Sequence, residues 1–133
     1  MKEIQFDNGI QEYVINGKGI LRFNPADPNL YLRFSRLEQA MSTIGEGLSQ
    51  DPMTAMEQAD RKLKDMLGEA FGCGNDFHRL LEGVNLLAMT PGGNRVFDNL
   101  VNALSPVLQA GVQSYADALT QQALAEAETR RGV

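Results

Sequence analysis

The chain has 133 residues, which is enough for one domain with a buried core. Its apolar fraction of 43% and charged fraction of 22% are ordinary for a soluble globular protein. Its net charge of −5 argues against nucleic acid as the main partner, because phosphate binding needs concentrated positive charge.

The chain carries one cysteine, Cys73, so it cannot form an intramolecular disulfide, and it fits a reducing compartment. Residues 1–6 lack the apolar core of a signal peptide. No stretch approaches the roughly 20 apolar residues that cross a bilayer. We therefore expect a cytoplasmic protein without membrane contact.

The first 23 residues predict short strands joined by turns. Ile4 and Phe6 share a face by two-residue alternation and indicate a first strand. Residues 13–15 are aromatic and β-branched, Asn16-Gly17 is a hairpin turn signal, and 19–23 returns as the partner strand with Leu21 and Phe23 on one face.

The segment from Asn24 to Pro28 ends this region and starts a helix. Asp27 is placed to cap it and Pro28 to occupy its first position. Its apolar residues alternate four and three apart, which is a heptad seam and predicts close packing against one helix. The seam consists of Leu30, Phe34, Leu37, Met41, Ile44 and Leu48.

A second helix is predicted to start at Asp51-Pro52 and to end at Gly72-Cys73-Gly74. Its apolar side has Met53, Met56, Leu63, Met66, Leu67, Ala70 and Phe71. Its outer, solvent-facing side is predicted to hold Glu57, Asp60, Arg61 and Lys64.

Two more helices follow in the prediction. The third is capped by Asn75 or Asp76, ends at residues 90–93, and has an apolar face of Phe77, Leu80, Leu81, Val84, Leu87 and Ala88. The last begins near Asn94, and Pro106 should kink or split it. Its broad apolar face comprises Val96, Phe97, Leu100, Val101, Leu104, Val107, Leu108, Val112, Tyr115 and Leu119.

These elements predict an α+β, mainly α fold. An N-terminal β-hairpin or three-stranded meander is followed by about four helices. We expect 1–133 to be a single domain, with a β part at 1–23, a helical part at 28–120 and a frayed tail at 121–133.

Cys73, Asp76 and His78 are the only residues that suggest catalysis, but nearness in sequence does not supply the geometry a thiol nucleophile needs. One His and one Cys also lack the further ligands of a zinc site. The glycines around Cys73 fit a helix end better than a phosphate-binding loop. We expect no catalytic, cofactor or metal site, and no enzyme.

Apolar helix surface is the feature that remains. The candidate protein-contact residues lie on the first and last predicted helices: Leu30, Phe34, Leu37, Met41, Phe97, Leu100, Leu104 and Leu108. The alternative is that these two faces pack on each other and form the core.

Three segments together resemble a protein family. They are the hairpin leading into Phe23-Asn24-Pro25-Ala26-Asp27-Pro28, the stretch Leu67-Gly68-Glu69-Ala70-Phe71-Gly72 with its glycine-asparagine turn, and the helix 99–115. In this order the chain resembles the small tail assembly chaperones of long-tailed bacteriophages and prophages of Gram-positive bacteria. Those proteins begin with a β element around a phrase like F-N-P-x-D and continue with helices.

The resemblance implies a protein of the host bacterial cytoplasm that coats the tape measure protein, keeps it soluble and yields to the tail tube protein. It also implies a homo-oligomer, and a longer form made by ribosomal frameshifting in many phages. The alternatives are a structural head-to-tail or tail completion protein, which would stay in the particle, and a small bacterial adaptor protein.

Overall fold

The computed structural model describes residues 1–43 and 51–131. Two strands, β1 (Gln11–Ile15) and β2 (Gly19–Phe23), precede four helices. The helices are α1 (Pro28–Thr43), α2 (Pro52–Phe71), α3 (Phe77–Leu80) and α4 (Val96–Arg131). The predicted mainly α form of an α+β fold is confirmed.

The strands form the antiparallel hairpin that the Asn16-Gly17 turn predicts. Asn16 and Gly17 have φ of 50° and 73°, the left-handed conformation that such turns require. Tyr13 pairs with Leu21, and Gln11 with Phe23. Leu21 and Phe23 are buried, so this face of the hairpin packs on the core.

The predicted strand at Ile4 and Phe6 is wrong, and the β region is a two-stranded hairpin without a third strand in 1–10. The side chains of Ile4 and Phe6 are 88% and 80% exposed. Asn24 donates its side-chain amide to the Asn8 carbonyl oxygen at 3.0 Å, which ties this segment to the end of β2. Alternation alone does not form a strand when no described neighbour offers backbone groups to pair with.

The first two helices begin where their capping residues predict. The Asp27 carboxylate accepts a hydrogen bond from the Asn29 backbone N–H at 3.0 Å, and the Asp51 carboxylate accepts from the Thr54 hydroxyl at 2.8 Å. Leu30, Phe34, Leu37 and Met41 are all buried, as the seam requires. Ile44 and Leu48 lie outside the described residues.

Phe71, the last residue of α2, joins four elements in the core. Its ring lies 4.9 Å from that of Phe23, 6.2 Å from that of Phe34 and 5.5 Å from that of Phe77. Gly72 then ends the helix with φ of 63°, and its N–H donates to the Gly68 carbonyl. The hairpin, α1, α2 and α3 therefore share one aromatic cluster.

The third predicted helix is much shorter than its apolar periodicity indicated. Asp76 caps α3, but the helix ends at Leu80, and Glu82 and Gly83 have φ of 53° and 79°. Two consecutive left-handed residues cannot continue a right-handed helix. Residues 81–95 instead form turns that bury Leu86 and Leu87.

The predicted outer face of α2 is half wrong. Glu57 and Arg61 are exposed, whereas Asp60 and Lys64 are buried and form an ion pair of 2.9 Å, with Lys64 only 3% exposed. Asp60 also accepts a hydrogen bond from the Leu86 N–H at 2.8 Å. Leu86 of the 81–95 segment thus contacts this pair, a tertiary contact that helical periodicity within α2 does not show.

The last helix runs from Val96 to Arg131 and is not split at Pro106. Pro106 and Asn102 both face solvent, so water can reach the Asn102 carbonyl that the proline leaves without a donor. Residues 121–130 are helical with almost entirely exposed side chains, and fraying of this end stays a prediction. In the described part of the chain, each helix falls short of the length or hydropathy that crossing a membrane requires.

Candidate functional site

Most of the residues predicted to contact a partner lie in the protein's own core. Seven are buried: Leu30, Phe34, Leu37, Met41, Phe97, Leu104 and Leu108. Only Leu100 is partly accessible. Burial of these side chains matches the alternative that the two helix faces supply the core, so a contact surface must use other residues.

A groove of about 610 Å³ opens between the hairpin, the end of α3 and the first three turns of α4. We call it the α4 groove. Its floor is made of half-buried apolar side chains that pack against the core from above: Tyr13, Ile15, Leu80, Leu81, Val96, Leu100 and Val107. Val14 and Val84 add exposed apolar surface at its edges. The groove is concave and apolar, and proteins commonly bind their ligands at surfaces of this kind.

The α4 side of the groove has a regular spacing. Val96, Leu100, Ala103 and Val107 follow one another at intervals of four, three and four residues. This row lies on a different side of α4 from the core residues Phe97, Leu104 and Leu108. A row with heptad spacing is the surface that a second helix packs against.

Polar side chains line the rim of the groove and are tied to one another. Lys18 in the hairpin turn contacts Glu82 at 3.0 Å, with both side chains more than half exposed. On the other side, Asn99 donates its side-chain amide to the Thr90 hydroxyl oxygen at 3.2 Å. The only charged residue of the lining is therefore already paired, and the groove offers mainly apolar contact.

The 81–95 segment connects the start of α4 to α2. The Phe97 N–H donates to the Leu86 carbonyl and the Val96 N–H to the Ala88 carbonyl, both at 2.9 Å. The Leu86 N–H in turn donates to the buried Asp60 carboxylate. The start of α4 is thus fixed to α2 through a buried charge.

An ion pair marks the first turn of α4. The Arg95 guanidinium donates to both carboxylate oxygens of Asp98, at 3.1 and 3.2 Å. These side-chain hydrogen bonds from Arg95 hold the pKa of Asp98 below its ordinary value. The carboxylate also lies near the positive end of the helix dipole, which favours its charged form.

The residues that suggested catalysis have structural contacts. The His78 ring contacts the Asp65 carboxylate at 3.0 Å, and the Asp76 carboxylate accepts from the His78 backbone N–H as the cap of α3. Cys73 is exposed and lies in the left-handed stretch that ends α2. Among residues 1–43 and 51–131, no group of three or more His, Cys, Asp or Glu side chains could hold a metal ion.

Sequence reasoning found only part of the α4 groove. Leu100 and Leu104 were predicted as contact residues and do line it, but Val96 and Val107 were not separated from the core face, and Ala103 was not predicted at all. The available signal was the width of the apolar face of α4, which exceeds what one packing contact covers. The hairpin wall, Tyr13 to Asn16, could not be assigned before the tertiary structure was known.

Comparisons with protein-family models, with curated proteins and with solved structures found no match to this chain.

Proposed function

We propose that this chain is a tail assembly chaperone of a long-tailed bacteriophage or prophage. In the host cytoplasm it would bind helical segments of the tape measure protein, keep them soluble, and release them as the tail tube polymerises. The observation that carries this proposal is the heptad-spaced row Val96, Leu100, Ala103 and Val107 along an apolar groove.

The shape of the groove favours a helical client. From Val96 to Val107 the row rises about 16 Å, which equals three turns of a partner helix. Helix-in-groove recognition uses anchors spaced three and four residues apart, and this row provides the matching positions. An extended, mostly helical client would present such anchors repeatedly along its length.

The identity of the client comes from the family resemblance. The F-N-P-x-D phrase forms the junction between β2 and α1, with Asp27 as the cap. The stretch ending at Phe71 supplies the centre of the aromatic core. Both segments have structural roles in this chain, so the proposed binding activity depends on the groove.

The test is solubility of the tape measure protein on co-expression with Ala103→Asp. Ala103 is exposed and lies in the row, so the new carboxylate would enter the groove without disturbing the core. We expect soluble client to fall about tenfold or more, because an unpaired charge would have to be buried against an apolar helix. Asn102→Asp is the control: it adds the same charge next to Ala103, at an exposed position of the same helix that lies outside the groove lining and off the heptad row.

Thermal melts of both variants should equal that of the unchanged protein. The complex should also persist at high salt, since the groove contact is apolar. Full solubilisation by Ala103→Asp would reject the groove as the client site. Stoichiometric presence of this chain in finished particles would instead favour the structural tail or head-to-tail role.

A further inference from the structure

Glu82 places a carboxylate at the rim of the α4 groove. Among the described residues, it is the only charged one that lines the groove, and its side chain is 53% exposed. It directly follows Leu80 and Leu81, which belong to the apolar floor. A carboxylate beside an apolar surface distinguishes between binding partners, because its charge attracts cations and repels anions.

The backbone of Glu82 has a conformation that disfavours most side chains. Its φ of 53° lies in the left-handed region, which glycine adopts far more readily than glutamate. The hydrogen bonds that end α3 use backbone groups, such as the 3.0 Å bond from the Glu82 N–H to the Arg79 carbonyl oxygen. Glycine at position 82 would make the same bonds, so the helix end does not require the carboxylate. Side chains held at strained positions of this kind are often found in binding sites.

The partner of Glu82 in the free protein is Lys18 in the hairpin turn, at 3.0 Å. The Lys18 side chain is 73% exposed, so water competes for both charges and the pair contributes little to stability. Another cation can therefore replace Lys18 at small cost. Lys18 orients the carboxylate and leaves it available to a ligand.

The carboxylate lies at one end of the α4 groove. Lys18 belongs to the hairpin turn, whereas the other end of the hairpin leads into Pro25, which α4 approaches at Gly111. β1 and β2 have five residues each, so these two ends are about 16 Å apart. The apolar row on α4 offers similar contacts to a helix lying in either direction. A charge at one end removes that equivalence, just as a polar residue fixes the register of a coiled coil.

We propose that Glu82 binds a lysine or arginine of the client helix, which replaces Lys18 and fixes the direction in which the helix lies. The client segments are then amphipathic helices with a basic residue near one end of their apolar row. This role of Glu82 rests on the proposed function of the α4 groove. The apolar contacts supply most of the affinity, and the ion pair supplies selectivity.

Two synthetic peptides test this selectivity. Both are amphipathic helices of three heptads with leucine at the apolar positions, and one residue near the end of the leucine row is lysine in one peptide and glutamine in the other. In calorimetric titrations at low salt, the unchanged protein should bind the lysine peptide about fivefold more tightly, the most that a half-exposed pair provides. Glu82→Gln should bind both peptides equally. Glu57→Gln should keep the preference, since it removes the same charge at an exposed position of α2 outside the groove lining.

Lys18→Ala distinguishes a binding role of Glu82 from a purely structural ion pair. A carboxylate that served only to hold Lys18 would make Lys18→Ala and Glu82→Gln equivalent. We expect opposite effects, because Lys18→Ala frees the carboxylate and should strengthen the preference for the lysine peptide. Equal effects of the two variants, or a preference kept by Glu82→Gln, would overturn the proposal.

A glycine variant separates binding from stability. Glu82→Gly should lose the preference while its melting temperature equals or exceeds that of the unchanged protein, because glycine relieves the left-handed backbone. An unchanged protein that binds both peptides without preference would reject the role of Glu82 alone. Failure to bind either peptide would reject the helix-binding function of the groove as well.

Discussion

Two ion pairs on α2 have the same spacing and very different surroundings. Glu57 and Arg61 meet at 2.6 Å in solvent, whereas Asp60 and Lys64 meet at 2.9 Å in the core. An exposed pair contributes little because water competes for both charges. A buried pair loses much more when one partner is removed, because the other charge stays buried without compensation.

We therefore expect Asp60→Ala to lower the unfolding free energy by about 3–5 kcal/mol. Glu57→Ala, one turn of helix away, should cost less than about 1 kcal/mol. Urea unfolding of the two variants gives the comparison directly. Equal losses would mean that water reaches Lys64 in solution, contrary to its burial here.

Tyr31 gives a prediction for alkaline pH. Its hydroxyl lies 2.5 Å from the Pro25 carbonyl oxygen and 2.6 Å from that of Leu108, and it donates its one hydrogen to either of them. Burial raises the pKa of Tyr31, so folding favours the protonated form. The protonated Tyr31 hydroxyl contributes fully to the unfolding free energy below the ordinary pKa of tyrosine. This contribution is lost as pH rises through the raised pKa of the folded state.

Between about pH 8 and pH 11, the unchanged protein should therefore lose more unfolding free energy than Tyr31→Phe. Urea unfolding at the two pH values is the measurement. A Tyr31→Phe variant with unaltered alkaline sensitivity would show that another group causes it.

At the scale of elements, α1 and α4 each contribute two leucines to the shared core. Leu37 and Leu104 are buried, whereas Leu32, also on α1, is mostly exposed. Truncating either buried leucine to alanine should cost about 2–5 kcal/mol, from lost burial and the cavity left behind. Leu32→Ala should change stability by less than about 0.5 kcal/mol, and thermal melts would rank the three.

Local signals predicted the elements that depend on local chemistry. Asn16-Gly17 specified the hairpin turn, and Asp27 and Asp51 specified two helix starts, because each acts through bonds within a few residues. The length of α3 could not be predicted, since the apolar spacing of Val84 and Leu87 arises in a turn that happens to match a helix. Such errors concentrate where tertiary contacts override periodicity.

Predicting the candidate site required knowledge of the tertiary structure even more than predicting the length of α3 did. One wall of the α4 groove is the start of α4, which follows the 81–95 segment, and Asp60 on α2 accepts a hydrogen bond from Leu86 in that segment. Nothing within α2 distinguishes Asp60 from Glu57, so the burial of one and not the other was beyond sequence reasoning. Leu100 was identified only because it belongs to a face wide enough to serve both the core and the groove.

At the scale of the whole molecule, α4 meets the junction between the hairpin and α1 at one close contact. Gly111 is buried, and a Cβ atom added there would overlap the Pro25 carbonyl and approach the Tyr31 hydroxyl. Beyond this contact, residues 112–126 of α4 are all exposed. Gly111 therefore marks the place where α4 leaves the body of the protein.

Gly111→Ala tests this joint because two effects oppose each other. Alanine is favoured over glycine within a helix by about 1 kcal/mol. The overlap is with backbone, which cannot rotate away as a flexible side chain can, so α4 must shift and lose its contact with Tyr31. We expect a net loss of stability in thermal melts, together with a smaller alkaline dependence. Ser114→Ala, exposed one turn later, should be neutral or slightly stabilising, and a Gly111→Ala protein more stable than the unchanged chain would show that α4 does not rest on this junction.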